Sequence, residues 1–358
     1  MTNDPFALLA RLLDAPGPSG FERAPARIWR EAATFADSVT VDVSGNSHAT
    51  VFGQGGASDG PGVMFAGHID EIGVMLVHID DNGFCWFDVI GGWDSQVFVG
   101  QRVTLIGRDG PVPGVIGKQA IHLMDQKDRD KLSKPHDLWI DIGATSRDEA
   151  LERVAVGTAG VLGSTVTRLP NDRIVSRSLD NRIGAYVVLE ALRLLAEERA
   201  KVPVTAVATT QEEIAYTGGG ARTSASSLNV LAAIVVDVTH ATDSPGVEKK
   251  RHGDVALGGG PVLSRGAAVN PVVCDLLASV AEAEGIPYRV QASPRFTGTD
   301  ADAIFTAHRG VATGLVSVPL RYMHSPSEMA SLEDIRNAAK LLAAFARRVE
   351  ATTDFVPR

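Results

Sequence analysis

Five short stretches of this chain carry residue types able to hold cations or move protons. His68-Ile69-Asp70-Glu71 follows the apolar run from Gly62 to Gly67 and sets an imidazole two residues from a carboxylate. Imidazole is a common ligand for divalent metals, and a carboxylate that accepts its second N–H fixes the tautomer and raises its basicity. His68 is therefore a candidate ligand and Asp70 the group behind it; the plainer reading is a strand terminus with solvated charges. Asp180, in Ser178-Leu179-Asp180-Asn181-Arg182, fits either a helix N-cap or a bridge that gives one oxygen to each of two ions. Gln211-Glu212-Glu213 sets two carboxylates after an apolar run, where they repel each other unless protons or cations compensate. A division of labour suits such a pair: Glu213 coordinates a cation while Glu212 takes a proton from an attacking water. Asp237 closes the run from Ala232 to Val236, and a carboxylate buried there requires a cation or a strong hydrogen bond. His324 lies in the polar stretch from Arg321 to Glu328; a lone histidine of this kind is more often structural than ligating.

Taken together, His68, Asp180, Glu213, Asp237 and His324 make a nitrogen and oxygen donor set without thiolate. That set suits zinc, cobalt or manganese. Its chemistry would be hydrolysis by a water activated between two cations, with Glu212 as base. Other hydrolytic and phosphate-binding routes lack their motifs, since the chain has no HExxH, no GxSxG and no phosphate-binding loop. His78, His122, His136, His240, His252 and His308 are read as structural or solvent-exposed.

The elements that must position these residues follow from periodicity. Residues 5–14 and 22–36 read as helices, and residues 38–53 as two short strands around Ser44-Gly45-Asn46. A buried strand over 62–67 delivers His68. From about Ile72 to Leu162 the chain is β-rich, with Gly, Asp and Pro turns and one helix at 146–153, which predicts an inserted β-domain; the polar segment 125–136 reads as a solvated loop. After Arg177, helix and strand alternate as in a layered α/β structure. A helix begins just after Asp180, strand 202–210 precedes Glu212 and Glu213, strand 231–236 ends in Asp237, and strand 310–318 precedes His324. Ligands of open α/β sheets bind beyond the carboxyl ends of strands, so these residues are expected in one crevice. Ser331 with Asp334 reads as a capping box opening the last helix, which runs to about Val349.

Composition bounds the rest. The 358 residues suit one large domain and a smaller one. Hydrophobic residues at 44% and charged residues at 22% are ordinary for a packed globular chain. A net charge of −9 argues against nucleic acid as a partner, because such binding draws on Lys and Arg. Cys85 and Cys274 form neither a disulfide framework nor a thiolate zinc motif. With no stretch of eighteen apolar residues and no secretory leader pattern, the expectation is a cytoplasmic protein without a membrane partner.

GHIDEIG at 67–73, SLDNRIG at 178–184, QEEI at 211–214, VVDVTHATDSPG at 235–246 and YMHSPSE at 322–328 resemble motifs of the M42 family of dinuclear aminopeptidases, the family of the tetrahedral TET particles. The similarity runs from APGPSGFE at 15–22 through WIDIGATSRDEA at 139–150 to the C-terminal helix. The resemblance implies an α/β fold, a mixed-sheet, three-layer α/β/α exopeptidase core with an inserted PDZ-like β-barrel domain. The catalytic domain would comprise residues 1–71 and 163–358, and the dimerisation and assembly domain residues 72–162. It also implies metal-dependent release of N-terminal residues from short peptides, with two divalent ions per subunit, zinc or cobalt first and manganese next. His68 and Asp237 would bind one ion, Glu213 and His324 the other, and Asp180 would bridge; Asp70 and Glu212 would be the catalytic pair. A homo-oligomer of dimers assembling to a dodecamer is implied too. The chain departs from the family pattern at Ile214 to Gly220, where a Val-Gly-Leu-Arg-Gly-like run is usual. Competing readings are a dinuclear deacylase or amidohydrolase, a metal-independent glucanase, and a non-catalytic assembly scaffold.

Overall fold

The computed structural model describes residues 5–58, 60–214 and 219–358. Two helices, α1 (Pro5–Asp14) and α2 (Arg23–Ala32), precede strands β1 (Ser38–Val41), β2 (Ser47–Val51) and β3 (Gly62–His68). Six strands follow: β4 (Gly73–Ile79), β5 (Cys85–Ile90), β6 (Arg102–Gly107), β7 (Gly110–Gly117), β8 (Trp139–Asp141) and β9 (Ala159–Leu162), with α3 (Arg147–Arg153) between the last two. The chain continues through β10 (Thr167–Leu169), β11 (Arg173–Ser176), α4 (Leu179–Glu197), β12 (Val204–Thr209) and α5 (Gly219–Ser227). Next come β13 (Val230–His240), α6 (Lys249–His252), β14 (Val262–Gly266), α7 (Pro271–Ala283), β15 (Arg289–Ser293) and α8 (Asp300–Ile304). It ends with β16 (Ala312–Arg321), β17 (Glu328–Ser331) and α9 (Leu332–Arg348).

The open sheet has the order β1-β2-β12-β3-β13-β16-β17-β11-β10, with β14 on β16 and β15 beyond it. Its centre, β12-β3-β13-β16, is parallel, and antiparallel strands flank it. Alternate side chains of each central strand enter different cores. Val63 and Phe65 of β3, with Ala232, Ile234 and Val236 of β13, pack beneath Leu9, Trp29, Leu192, Leu277 and Leu342 of α1, α2, α4, α7 and α9. Met64, Ala66, Ala233 and Val235 face the other way, against Ala221 and Ala225 of α5 and Ala301 and Ile304 of α8. Strands buried on both faces read as continuous apolar runs. The result is the expected three-layer α/β/α core.

Strands β4-β5-β8-β7-β6-β9 close into an antiparallel barrel. Its inward set, including Val74, Leu76, Phe87, Phe98, Val103, Leu105 and Ile140, forms a third core. The segment 125–136 carries two single-turn helices and is mostly exposed. Among the described residues no helix is long and apolar enough to cross a membrane.

Three local expectations change. The second helix stops at Ala32 rather than Ala36, and β13 runs three residues past Asp237 because β16 pairs with it out to His240↔Leu320. The capping box does not form: Ser331 makes no side-chain cap, and the Asp334 carboxylate instead accepts from Gly258 N at 2.7 Å and Gly260 N at 2.8 Å. A long-range loop anchor wins over the local cap because it satisfies two backbone donors at once.

Candidate active site

β3 ends at His68, beside Thr209 of β12. β3 and β13 last pair at Ala66↔Val235, so two residues further along each strand bring His68 and Asp237 level. Helix α4 carries Asp180 to the same point, which requires a very close approach. A Cβ added to Gly67 would lie 2.4 Å from the Gly184 carbonyl carbon, and one on Gly184 would lie 2.5 Å from Val236 O. Only glycine permits backbone contacts this short. Asn181 fastens the junction by donating to Val236 O at 2.8 Å and accepting from Gly184 N at 2.9 Å. Asp180 and Asn181 themselves lie outside helical geometry, so Asp180 does not serve as a simple N-cap.

The candidate ligand side chains converge. His68 Nε2 lies 3.2 Å from Asp180 Oδ1, 3.8 Å from Asp237 Oδ1 and 3.8 Å from Glu212 Oε2. His324 Nε2 lies 3.5 Å from Asp180 Oδ2 and 3.4 Å from Glu213 Oε2. Asp180 thus turns one oxygen to each imidazole. Ligand atoms of His68, Asp180 and Glu213 also fall within 4.8 Å of one another. Four of these side chains are nearly inaccessible, while His324 is 34% exposed and forms the open side of the cluster.

Asp70 sits behind His68, with its Oδ1 3.4 Å from His68 Nδ1. It accepts from Ser19 Oγ at 2.5 Å, from Glu212 N at 3.2 Å and from Glu213 N at 3.1 Å. One carboxylate therefore ties the β3 terminus to the two-glutamate turn. His68 Nδ1 is buried without a hydrogen bond of good geometry.

Electrostatics makes the cluster a cation site in character. Burial pushes the Glu212 carboxyl up to about 10, and the Asp237, Asp300 and Glu213 carboxylates add to that against the opposing pull of His68. Burial raises Asp237 and Glu213 as well, with Asp180 adding to both. Asp180 goes the other way: burial opposes its ionisation, but hydrogen bonds from His324 and His68 hold its carboxyl well below the usual range. So many buried acids need protons or metal ions to offset their repulsion. The donor atoms, their convergence and the split carboxylate of Asp180 fit two borderline-to-hard divalent ions.

Several further residues support the site. Glu328 is buried and accepts from Asp180 N at 3.0 Å and His324 N at 2.9 Å, so it sets the spacing of the bridge and the last histidine. Its place four residues after His324 was its only signal. Arg182 is fully buried and uses every N–H: Nε donates to Ile69 O, Nη1 to Leu12 O and to Ala15 O at 2.9 Å, and Nη2 to Gly17 O at 3.3 Å and Glu71 Oε1 at 3.0 Å. Asp300 accepts from Thr209 Oγ1 at 2.5 Å, behind the end of β12, and burial raises its carboxyl to about 6. Non-glycine left-handed backbone also gathers here, at Ser178, Gln211, Tyr322 and His324. Such strain persists where surrounding structure enforces it, as at active sites. His240 is exposed, and Ala215 to Gly218 of the departing segment lie outside the described residues.

A sequence model of the family described as M42 glutamyl aminopeptidase matches residues 48–341. The lysyl aminopeptidase of Pyrococcus furiosus is 35% identical, over 98% of this chain and 99% of that protein. Among solved structures, a TET aminopeptidase from a marine sediment archaeon of the Thaumarchaeota superposes with a TM-score of 0.90 at 33% identity, covering 97% of this chain and 96% of its own. The Pyrococcus horikoshii TET1 peptidase, described as assembling into a tetrahedron or a large octahedral shell, gives 0.85 at 31% identity, covering 97% of this chain and all of its own.

Proposed function

This chain belongs to the M42 glutamyl aminopeptidase family, and from that membership we propose that it releases N-terminal residues from short peptides at the His68, Asp180, Glu213, Asp237 and His324 cluster. The observation that carries the reading is Asp180, whose two oxygens face His68 Nε2 at 3.2 Å and His324 Nε2 at 3.5 Å. His68 and Asp237 would hold one ion and Glu213 and His324 the other, with Asp180 available to both. Zinc or cobalt suits this donor set first, manganese next. A divalent pair, when bound, lowers the pKa of a water toward neutrality and polarises the scissile carbonyl.

The chain's own residues do the rest. Cations held in the cluster would lower the Glu212 carboxyl from its raised value, because nearby positive charge favours the carboxylate. It takes a proton from the attacking water at a carboxylate oxygen. As the C–N bond breaks, Glu212 returns that proton to the leaving amine nitrogen. Asp70 holds the His68 ring and the backbone of Glu212 and Glu213 in one frame, so base and ligands keep their spacing. The acidic surroundings favour a substrate with a free ammonium end.

Residues 1–71 and 163–358 form the catalytic domain in this reading, and residues 72–162 an assembly domain. The protein works in this reading as a cytoplasmic homo-oligomer of dimers, up to a dodecamer; the tetrahedron or octahedral shell described for the Pyrococcus horikoshii TET1 peptidase supports the oligomer. The test pairs metal analysis of purified protein with hydrolysis of unblocked and N-acetylated aminoacyl anilides. Expected are two ions per subunit, cleavage of unblocked substrates alone, and loss of activity on chelation with recovery on zinc or cobalt. Equal cleavage of acetylated substrates would make the enzyme a deacylase instead.

A further inference from the structure

Residues 15–22 join α1 to α2 and pass along Glu71, just beyond the end of β3, where Pro18 and Glu71 form a parallel bridge. Backbone bonds and buried charge hold their course. Ser19 N donates to Glu71 O at 3.1 Å, Phe21 N to Pro18 O at 2.8 Å, Glu71 N to Gly17 O at 3.2 Å and Gly17 N to Glu71 Oε1 at 3.0 Å. Arg182 of α4 adds its bonds to Ala15 O and Gly17 O. None of these bonds uses the Ser19 hydroxyl, and α2 opens after Glu22, so the hydroxyl is not spent on a helix cap.

Ser19 is buried, and its hydroxyl donates to Asp70 Oδ2 at 2.5 Å, the shortest of the bonds this carboxylate accepts. The others come from Glu212 N to Oδ1 at 3.2 Å and from Glu213 N to Oδ2 at 3.1 Å. A hydroxyl this close to a carboxylate makes a charge-assisted bond, about twice as strong as a neutral one. Asp70 Oδ1 faces His68 Nδ1 at 3.4 Å, too far and too poorly aligned to hold the ring by itself. The orientation of the carboxylate is therefore set from its Oδ2 side, by Ser19.

We propose that Ser19 is a positioning residue for the reaction at the cluster: its hydroxyl fixes the Asp70 carboxylate, and through it the His68 ring and the turn that carries Glu212 and Glu213. The inference rests on the metal-centre reading above. Without the hydroxyl, Oδ2 keeps only Glu213 N among the described donors, and the carboxylate can turn about its Cβ–Cγ bond. His68 Nδ1 then loses the fixed oxygen opposite it, and the backbone of Glu212 follows Oδ1. Outer partners of a metal-ligating histidine contribute about 10- to 100-fold in metal affinity or activity. Ser19 acts one bond further out, so the lower end of that range is expected.

The experiment compares wild type, Ser19→Ala and Pro18→Ala as full chains. Zinc affinity is measured by competition with a chromophoric chelator, melting temperature on metal-free protein, and kcat and KM on an unblocked Leu-anilide at saturating zinc. Pro18→Ala controls for the order of the segment, because Pro18 is buried one residue away and its side chain has no donor to offer Asp70. Both variants should melt below wild type. Ser19→Ala should bind zinc about tenfold more weakly and lose about tenfold in kcat with KM hardly changed, while Pro18→Ala keeps wild-type zinc affinity and kcat. Wild-type affinity and kcat in Ser19→Ala overturn the proposal. Zinc loss in Pro18→Ala equal to that in Ser19→Ala overturns it too, since the order of the segment rather than the hydroxyl would then place Asp70. If wild type binds no zinc, the metal-centre reading fails by itself, and the kcat comparison between the two variants still decides the role of Ser19.

Discussion

Strand β13 of the open sheet and strand β6 of the barrel are both rich in apolar residues, but they use them differently. From Ala232 to Val238, β13 is buried on both faces, so Asp237 can be ionic only because the strand meets other charged groups there. β6 buries Val103 and Leu105 and turns Arg102, Thr104 and Ile106 outward, so its polar atoms meet water and need no partner. The sheet therefore concentrates buried charge at one edge, while the barrel disperses it. Buried charge collects where the layered packing leaves polar groups no solvent, and the barrel brings only the backbone of Gly91 and Gly92 close to Glu213 and His324.

This contrast can be broken by experiment. The largest effect belongs to Glu212→Gln, which removes the proton acceptor but no proposed ligand. Turnover should fall about 10²- to 10⁴-fold while metal content stays at two ions; near-normal turnover would take Glu212 out of the mechanism.

A matched pair of substitutions sharpens the comparison. Phe87 lies in the barrel core, against the Phe98 ring at 5.6 Å, and Phe87→Ala should cost about 3–5 kcal/mol in denaturant melts. Kcat per folded molecule should barely change. Gly67→Ala should cost about as much or more, because its methyl group would meet the backbone of Gly184 and Ala185 at 2.4–2.7 Å and must push α4 off β3. Yet it should depress metal affinity and kcat together, since α4 carries Asp180. If Phe87→Ala were the one to disturb metal binding, the two regions would not be separable as argued.

The smallest expected effect concerns the loops that carry two of the proposed ligands. Arg321, three residues before His324, pairs with Asp243, six residues after Asp237, at 2.7 Å. Burial works against ionisation of Asp243, but Arg321 holds its carboxyl below the usual range. A depressed folded-state value contributes stability above the unfolded carboxylate pKa of about 3.9 and loses it as pH falls through the folded value. Asp243→Asn should therefore lower stability at pH 7 by at most about 1 kcal/mol, with the difference from wild type shrinking below about pH 4. A constant difference down to pH 3 would rule out the ion pair as the source.

Much of this molecule was readable in one dimension. Continuous apolar runs gave β3, β12, β13 and β16, because a parallel strand covered on both sides has nowhere to place a polar residue. The change to alternating texture between Ile72 and Leu162 gave the barrel, since a closed sheet has one wet face. His68, Asp180, Glu213, Asp237 and His324 stood out because each follows or interrupts such a run. Less legible were residues whose partners are far away in the chain: Arg182, reaching Leu12, Gly17, Ile69 and Glu71, and Glu328, spanning Asp180 and His324.

The failed cap at Ser331 has the same origin, since nothing near Asp334 in sequence announces the Gly258 and Gly260 amides that take its carboxylate. The sequence by itself determined which residues could do chemistry and which strands would be buried, because residue type and periodicity are local properties. Only the tertiary structure decided that Asp180 splits its oxygens between two histidines and that a barrel glycine faces His324. Those relations depend on distances between segments more than a hundred residues apart, and packing alone sets them.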